Sequence, residues 1–239
     1  MKRALLLILQ FIFLFKMNAQ ERVITVGVQV KPLFSSKFFG TGPITLNDAS
    51  YEYFVKPKSG HAIGLVVRRG FTPSLSLEFG LNYTVRKFEL GASNGINSAT
   101  SDLRIVGYEI PISQLIFIRL SDKIYMNAAA GLCLNMFPTD VFKDEETFLA
   151  YAGKNNLLQP SLLANIGFEY RTKENGYFYI GVSLNRPFSN IYEYRVDYIN
   201  NKDVLNTAGT GLNGNYLSVD FKYFFHEDPE KKGKSKVRK

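Results

Sequence analysis

The chain has no tryptophan, two histidines and a single cysteine. One cysteine cannot close an internal disulfide, so Cys133 leaves the fold to be held by pairing, packing and hydrogen bonds. The histidines, His61 and His226, offer little to base catalysis or metal binding, which need a nucleophile in reach or several ligands at set spacing. No apolar run approaches the roughly 20 residues of a membrane-spanning helix. The longest, Ala4 to Phe15, is interrupted only by Gln10 and would rise about 18 Å as a helix. A basic patch is lacking too, although the formal charge is +8. Lys2, Arg3 and Lys16 sit at the N-terminus, and the tail after Phe225 sets six basic residues against Glu227, Asp228 and Glu230. Removing both contributions leaves +2 for residues 20–225, which excludes a nucleic-acid partner of the usual basic kind.

What is present begins with an export signal. Lys2 and Arg3 precede the apolar run, and Met17-Asn18-Ala19 supplies a small residue for cleavage before Gln20, the pattern of a secretory signal peptide. Residues 1–19 are therefore set apart from the fold. N-terminal sequencing of the mature protein is expected to start at Gln20. An intact Met1 would remove the argument for export.

The rest of the chain alternates with period two, the mark of a sheet with two different faces. Ile24, Val26, Val28 and Val30 face one way, and Thr25, Gly27, Gln29 and Lys31 the other. The pattern recurs with Ile63, Leu65 and Val67 against Gly64 and Arg68, and with Phe79, Leu81 and Tyr83 against Glu78, Gly80, Asn82 and Arg86. Next come Tyr108, Ile110 and Ile112 against Gly107 and Glu109, then Leu132 and Leu134 against Asn127, Gly131, Cys133 and Asn135. Three more strands follow: Ile166 and Phe168 against Gly167, Glu169 and Arg171; Phe178 and Ile180 against Tyr179 and Gly181; Val219 and Phe221 against Asp220 and Lys222. In the fourth strand the phase blurs near Gln114, which predicts a bulge before Leu115. Connections alternate in length. They are tight near 72–74, 121–122 and 172–176, and long at about 35–60, 89–102, 138–160 and 187–214. Membrane barrels have short periplasmic turns and long outer loops. The expected fold is all-β: an eight-stranded antiparallel up-and-down transmembrane β-barrel with four long outer loops and three short periplasmic turns. It spans residues 20–225, and a basic periplasmic tail follows at 226–239. An even strand number puts both termini in the periplasm.

The polar phase carries a glycine in seven strands: Gly27, Gly64, Gly80, Gly107, Gly131, Gly167 and Gly181. The interior of eight strands is just wide enough for side chains, so small residues there make room for long ones. The long ones are charged: Lys31, Arg68, Glu78, Arg86, Glu109, Glu169, Arg171, Asp220 and Lys222. A ring of one sign would suit ion selection. Mixed signs predict a paired, plugged interior. An arginine replacing lipid-facing Leu81 is expected to cost more than one replacing Asn82 on the polar face.

At these residues the chain resembles small single-domain outer-membrane β-barrel proteins of Gram-negative bacteria. VGVQVKPLFSSKFF (Val26 to Phe39) is similar to that family's first strand and loop, VGYEIPI (Val106 to Ile112) to its fourth strand, and NAAAGL (Asn127 to Leu132) to its fifth. The closing YLSVDFKYFF (Tyr216 to Phe225) resembles the terminal strand read by the outer-membrane insertion machinery. The resemblance implies outer-membrane location, contact with outer-membrane lipid and no cofactor.

Candidate chemistry is sparse. His61 follows Ser59 and Gly60, but neighbours in sequence are no dyad in space, and a rim histidine is the simpler reading. Asp140, Asp144, Glu145 and Glu146 cluster around Lys143 with no turn glycine to organise a cation cage, so they read as a solvated loop. Cys133 reads as a small interior filler. Aromatics in FFGTG (Phe38 to Gly42), YEYF (Tyr51 to Phe54) and IYEYRVDYI (Ile191 to Ile199) fit either a recognition surface or strands that continue above the bilayer with an aromatic girdle. The expected function is a non-enzymatic barrel whose extracellular loops mediate contact, adhesion or envelope integrity. The alternatives are an accessory barrel of a type IX-like secretion machine, with an envelope or secretion partner, and a narrow channel for a small solute. Stoichiometric co-purification of a partner would favour the first of these, and conductance the second.

Overall fold

A computed structural model describes residues 24–225 except 37–39, 41, 49–50, 97, 173 and 201–202. The expected signal peptide (1–19), the tail (226–239) and His226 lie outside the described residues. Thirteen strands form among them: β1 (Ile24–Phe34), β2 (Ile44–Asp48), β3 (Tyr51–Thr72), β4 (Leu75–Ser93), β5 (Ser98–Arg119), β6 (Ile124–Met136), β7 (Val141–Asp144), β8 (Phe148–Lys154), β9 (Leu158–Arg171), β10 (Tyr177–Pro187), β11 (Tyr192–Asn200), β12 (Asp203–Leu212) and β13 (Tyr216–Phe224). All pairings are antiparallel. The larger sheet runs β1-β13-β10-β9-β6-β5-β4-β3-β2, and β1 pairs with β3 as well. The smaller runs β12-β11-β8-β7.

The strands outnumber those expected because the long connections are themselves strands. β2 and the first part of β3 occupy 35–60, the ends of β4 and β5 occupy 89–102, and the smaller sheet takes up most of 138–160 and 187–214. β3 and β5 each run 22 residues. The bulge expected at Gln114 is absent: Glu109, Pro111, Ser113, Leu115 and Phe117 are buried in unbroken alternation, and Gln114 is exposed. A register shift lies instead in β3, between Lys58 and His61. Below it the buried residues are Ala62, Val66 and Arg68; above it they are Tyr53 and Val55, so the inserted residue swaps the faces.

Along β4 the buried phase never changes, but its chemistry does. Glu78, Asn82, Thr84 and Arg86 are buried and polar, while Phe88, Leu90 and Ala92, next in the same phase, are buried and apolar. The outer face changes oppositely, from Phe79 and Leu81 to Lys87 and Glu89. β5 does the same, with Glu109 giving way to Ile105 and Leu103 inside, and Ile110 and Tyr108 giving way to Arg104 and Asp102 outside. One end of these strands thus presents an apolar outer face and the other a polar one.

Above that level the two sheets enclose one apolar core. Tyr53, Val55, Leu90, Leu103 and Ile105 of the larger sheet share it with Phe148, Ala150, Tyr192, Tyr194 and Val196 of the smaller. The aromatics of YEYF and IYEYRVDYI therefore continue strands above the apolar band. Tyr53, Tyr192, Tyr194 and Tyr198 fill a core and form no girdle. We call this upper part the cap.

Candidate functional site

The buried polar face of the larger sheet gathers the nine charged residues of the alternating phase, and each of them has an ion-pair partner within the set. Glu169 bridges Arg68 and Arg171, the latter at 2.6 Å. Glu78 bridges Arg68, at 3.0 Å, and Lys222. Lys31 meets Asp220 at 3.2 Å and Arg86 meets Glu109 at 3.1 Å. Eight of the nine are buried, and Arg171 alone is part-exposed. Charges so enclosed cost several kcal/mol each unless paired and hydrogen-bonded.

Neutral side chains complete that bonding. Asp220 accepts from Ser183, Ser218 and Asn165 at 2.5, 2.6 and 3.2 Å. Glu109 accepts from the Tyr216 hydroxyl at 2.9 Å. Arg86 donates to the Gly214 carbonyl at 2.9 Å and to Asn135 at 3.3 Å. The guanidinium of Arg68 lies 3.9 Å over the Phe224 ring and that of Arg171 4.0 Å over Tyr125, a cation–π placement that is strongest where water is excluded. The charges were visible in the sequence through their shared phase. The roles of Tyr216, Asn135 and Asn165 were not, since an uncharged polar residue in that phase has no marked partner.

The glycines make room for these groups. Gly167 and Gly181 are direct cross-strand partners, and the Tyr179 hydroxyl crosses both to donate to Asn165 Oδ1 at 2.6 Å. A Cβ on either glycine would collide with that hydroxyl. Gly27 and Gly107 lie under the rings of Phe224 and Phe137, and Gly64, Gly80 and Gly131 lie against Asn82, Pro111 and Ser113. Asn82 accepts from Gln29 Nε2 at 2.6 Å and is fully buried. Arginine at Asn82 would therefore have to displace packed neighbours, since the polar face there is filled.

Cys133 is buried on this face and unpaired by disulfide. His61 sits on β3 between Pro32 and Val85. Among the described residues no group of three or more His, Cys, Asp or Glu is placed to hold a metal. Asp140 departs from its acidic cluster to accept from the Lys154 amide at 2.9 Å and the Lys154 ammonium at 3.2 Å, which holds its carboxyl below the usual range.

The cap tyrosines carry a pH dependence. Burial, reinforced by nearby tyrosines and carboxylates, pushes Tyr53 up to about 12, and burial with Asp140 nearby does the same to Tyr192. An unfolded tyrosine ionises near pH 10. Between 10 and 12 the folded cap thus holds more protons than the unfolded chain, so its stability, complete below pH 10, falls as pH rises through that window. Tyrosinate absorbance followed alongside circular dichroism is expected to show both changes together. Ionisation at an ordinary pH in the intact fold would contradict the burial.

Among solved structures, the chain is similar to the outer membrane protein OprG from Pseudomonas aeruginosa, with TM-score 0.53 and 10% identity over 88% of this chain and 99% of that one. The chain shares the all-β, antiparallel up-and-down fold of that protein. A fainter likeness, TM-score 0.33 and 10% identity over 84% of this chain and 95% of the other, is to the outer membrane protease OmpT from Escherichia coli. No family model matches the chain, and no match was found among curated proteins.

Proposed function

We propose that the chain is a non-catalytic, eight-stranded outer-membrane barrel with both termini in the periplasm, whose folded cap mediates contact or envelope integrity at the cell surface. The strand register supports closure. From Ile118 the partners run through Met126, Phe168, Ile180, Phe221, Val30, Ile63 and Tyr83 back to Tyr108 on the same strand. One circuit of eight strands returns ten residues away, the difference between positions 118 and 108. With strands ~4.8 Å apart and ~3.3 Å per residue, that stagger implies a tilt of ~40° and a backbone radius of ~8 Å. The outward apolar stretch of β5 from Tyr108 to Ile118, so tilted, stands ~25 Å tall, the height of a barrel's lipid-facing band.

The observation that carries the functional reading is the filled interior: paired charges lie beneath an apolar cap. A barrel so plugged suits surface contact better than passage of solute. The wild-type protein reconstituted in planar bilayers is expected to show no steady conductance of the porin kind. A stable, large conductance would overturn the reading and put solute passage ahead of contact.

A further inference from the structure

On the outer face, where the surrounding changes from apolar to aqueous, three cations stand in direct register across three strands. Lys58 opposes Lys87, and Lys87 opposes Arg104. All three are exposed. Like charges directly opposite one another destabilise a sheet, so the row is an electrostatic cost unless an anion lies across it. The neighbouring acids answer it only in part. Lys58 reaches Asp102 at 2.6 Å and Glu89 at 3.3 Å, and Glu89 is shared with Lys56 at 3.7 Å. Lys87 has no ion pair among the described residues, and Arg104 donates to the neutral Tyr83 hydroxyl at 3.2 Å. Just below the row, Tyr83 and Tyr108 stand edge to face, ring centroids 5.9 Å apart. Amphipathic rings of this kind mark headgroup level. Below them come Leu81, Ile110 and Leu65, all exposed.

We propose that the row Lys58–Lys87–Arg104 binds the phosphate of an anionic outer-leaflet lipid, whose acyl chains lie on the apolar face beneath. The proposal rests on the membrane-barrel reading, with the cap outside. A lipid phosphate presents several acceptor oxygens to three donors, and strand spacing sets the backbones that carry those donors side by side about 5 Å apart.

The absence of tryptophan from the chain allows a direct test in the full-length protein inserted in phosphatidylcholine vesicles. Val106→Trp places a fluorophore on the outer face beside the row, and Val182→Trp places one on β10 as a control. Brominated phosphatidic acid is expected to quench the first tryptophan more strongly than brominated phosphatidylcholine, and to quench the second without preference. Lys87→Glu changes two charges. At about fivefold per charge near a lipid surface, it is expected to lower the preference about twenty-five-fold. Quenching of both reporters with no preference at position 106, or a preference unmoved by Lys87→Glu, overturns the site while leaving the barrel intact. Loss of the preference on adding millimolar inorganic phosphate shows a free-phosphate site and overturns the lipid assignment. Absence of quenching by either lipid at either position overturns the membrane reading itself, and the proposal with it.

Discussion

Replacing Glu169 with alanine is expected to destabilise the protein by about 3–5 kcal/mol, the range for removing one partner of a buried ion pair. Glu169 is wholly buried and is the only acid shared by Arg68 and Arg171 among the described ion pairs. Its loss leaves Arg68 with Glu78 alone, and Arg171 with the faces of Phe117, Tyr125 and Tyr177 in place of a carboxylate. Glu109→Ala should fall in the same range, because it takes the counter-charge from Arg86 and the acceptor from the Tyr216 hydroxyl together. Glu146→Ala, on the exposed connection before β8, should leave the unfolding midpoint unmoved. Denaturant titration with refolding into lipid measures all three. Equal midpoints would mean that the interior charges are hydrated and separately stable.

Arginine at Leu81 is expected to cost about 2–4 kcal/mol, the penalty for a charge facing lipid near the midplane. Leu81 is 52% exposed, which in water would make the change almost harmless. Arginine at Thr100, on β5 in the outward phase above the change of polarity, should cost no more than about 0.5 kcal/mol. The comparison tests where the bilayer ends. Similar small costs at both positions in lipid would place Leu81 in water and undo the membrane assignment.

Much of the lower part of the fold was legible because its two faces differ in a way that period two reveals. Val28 against Gln29, Leu81 against Asn82 and Phe221 against Lys222 each divide cleanly, and the structure exposes or buries them accordingly. The cap was not legible, for a physical reason. Above Arg86 the period persists while the buried side turns apolar and the outer side polar, so Phe88, Leu90 and Ala92 beside Lys87 and Glu89 lose the lipid-facing signature and read as loop. The supposed bulge at Gln114 has a similar origin. Leu115 and Phe117 are apolar residues on the buried face near its lower end, next to outward Ile116 and Ile118, and a run apolar in both phases hides its own alternation. The charged network was legible as a set. Who pairs with whom was not, because partners such as Arg68 and Glu169 come from strands far apart in the chain.

The passage of β3, β4 and β5 from one surrounding to the other without a break has a mechanical consequence. Apart from the register shifts between Lys58 and His61 and between Gly70 and Thr72, their ladders run from Glu52 opposite Ser93 down to Thr72 opposite Leu75 and on across β4 to β5. A tug on the cap is therefore carried along the strand axes and loads many backbone hydrogen bonds in shear at once, where a hinged loop would let them peel apart singly. Whatever pulls on the cap is, through these three strands, pulling on the wall beneath it.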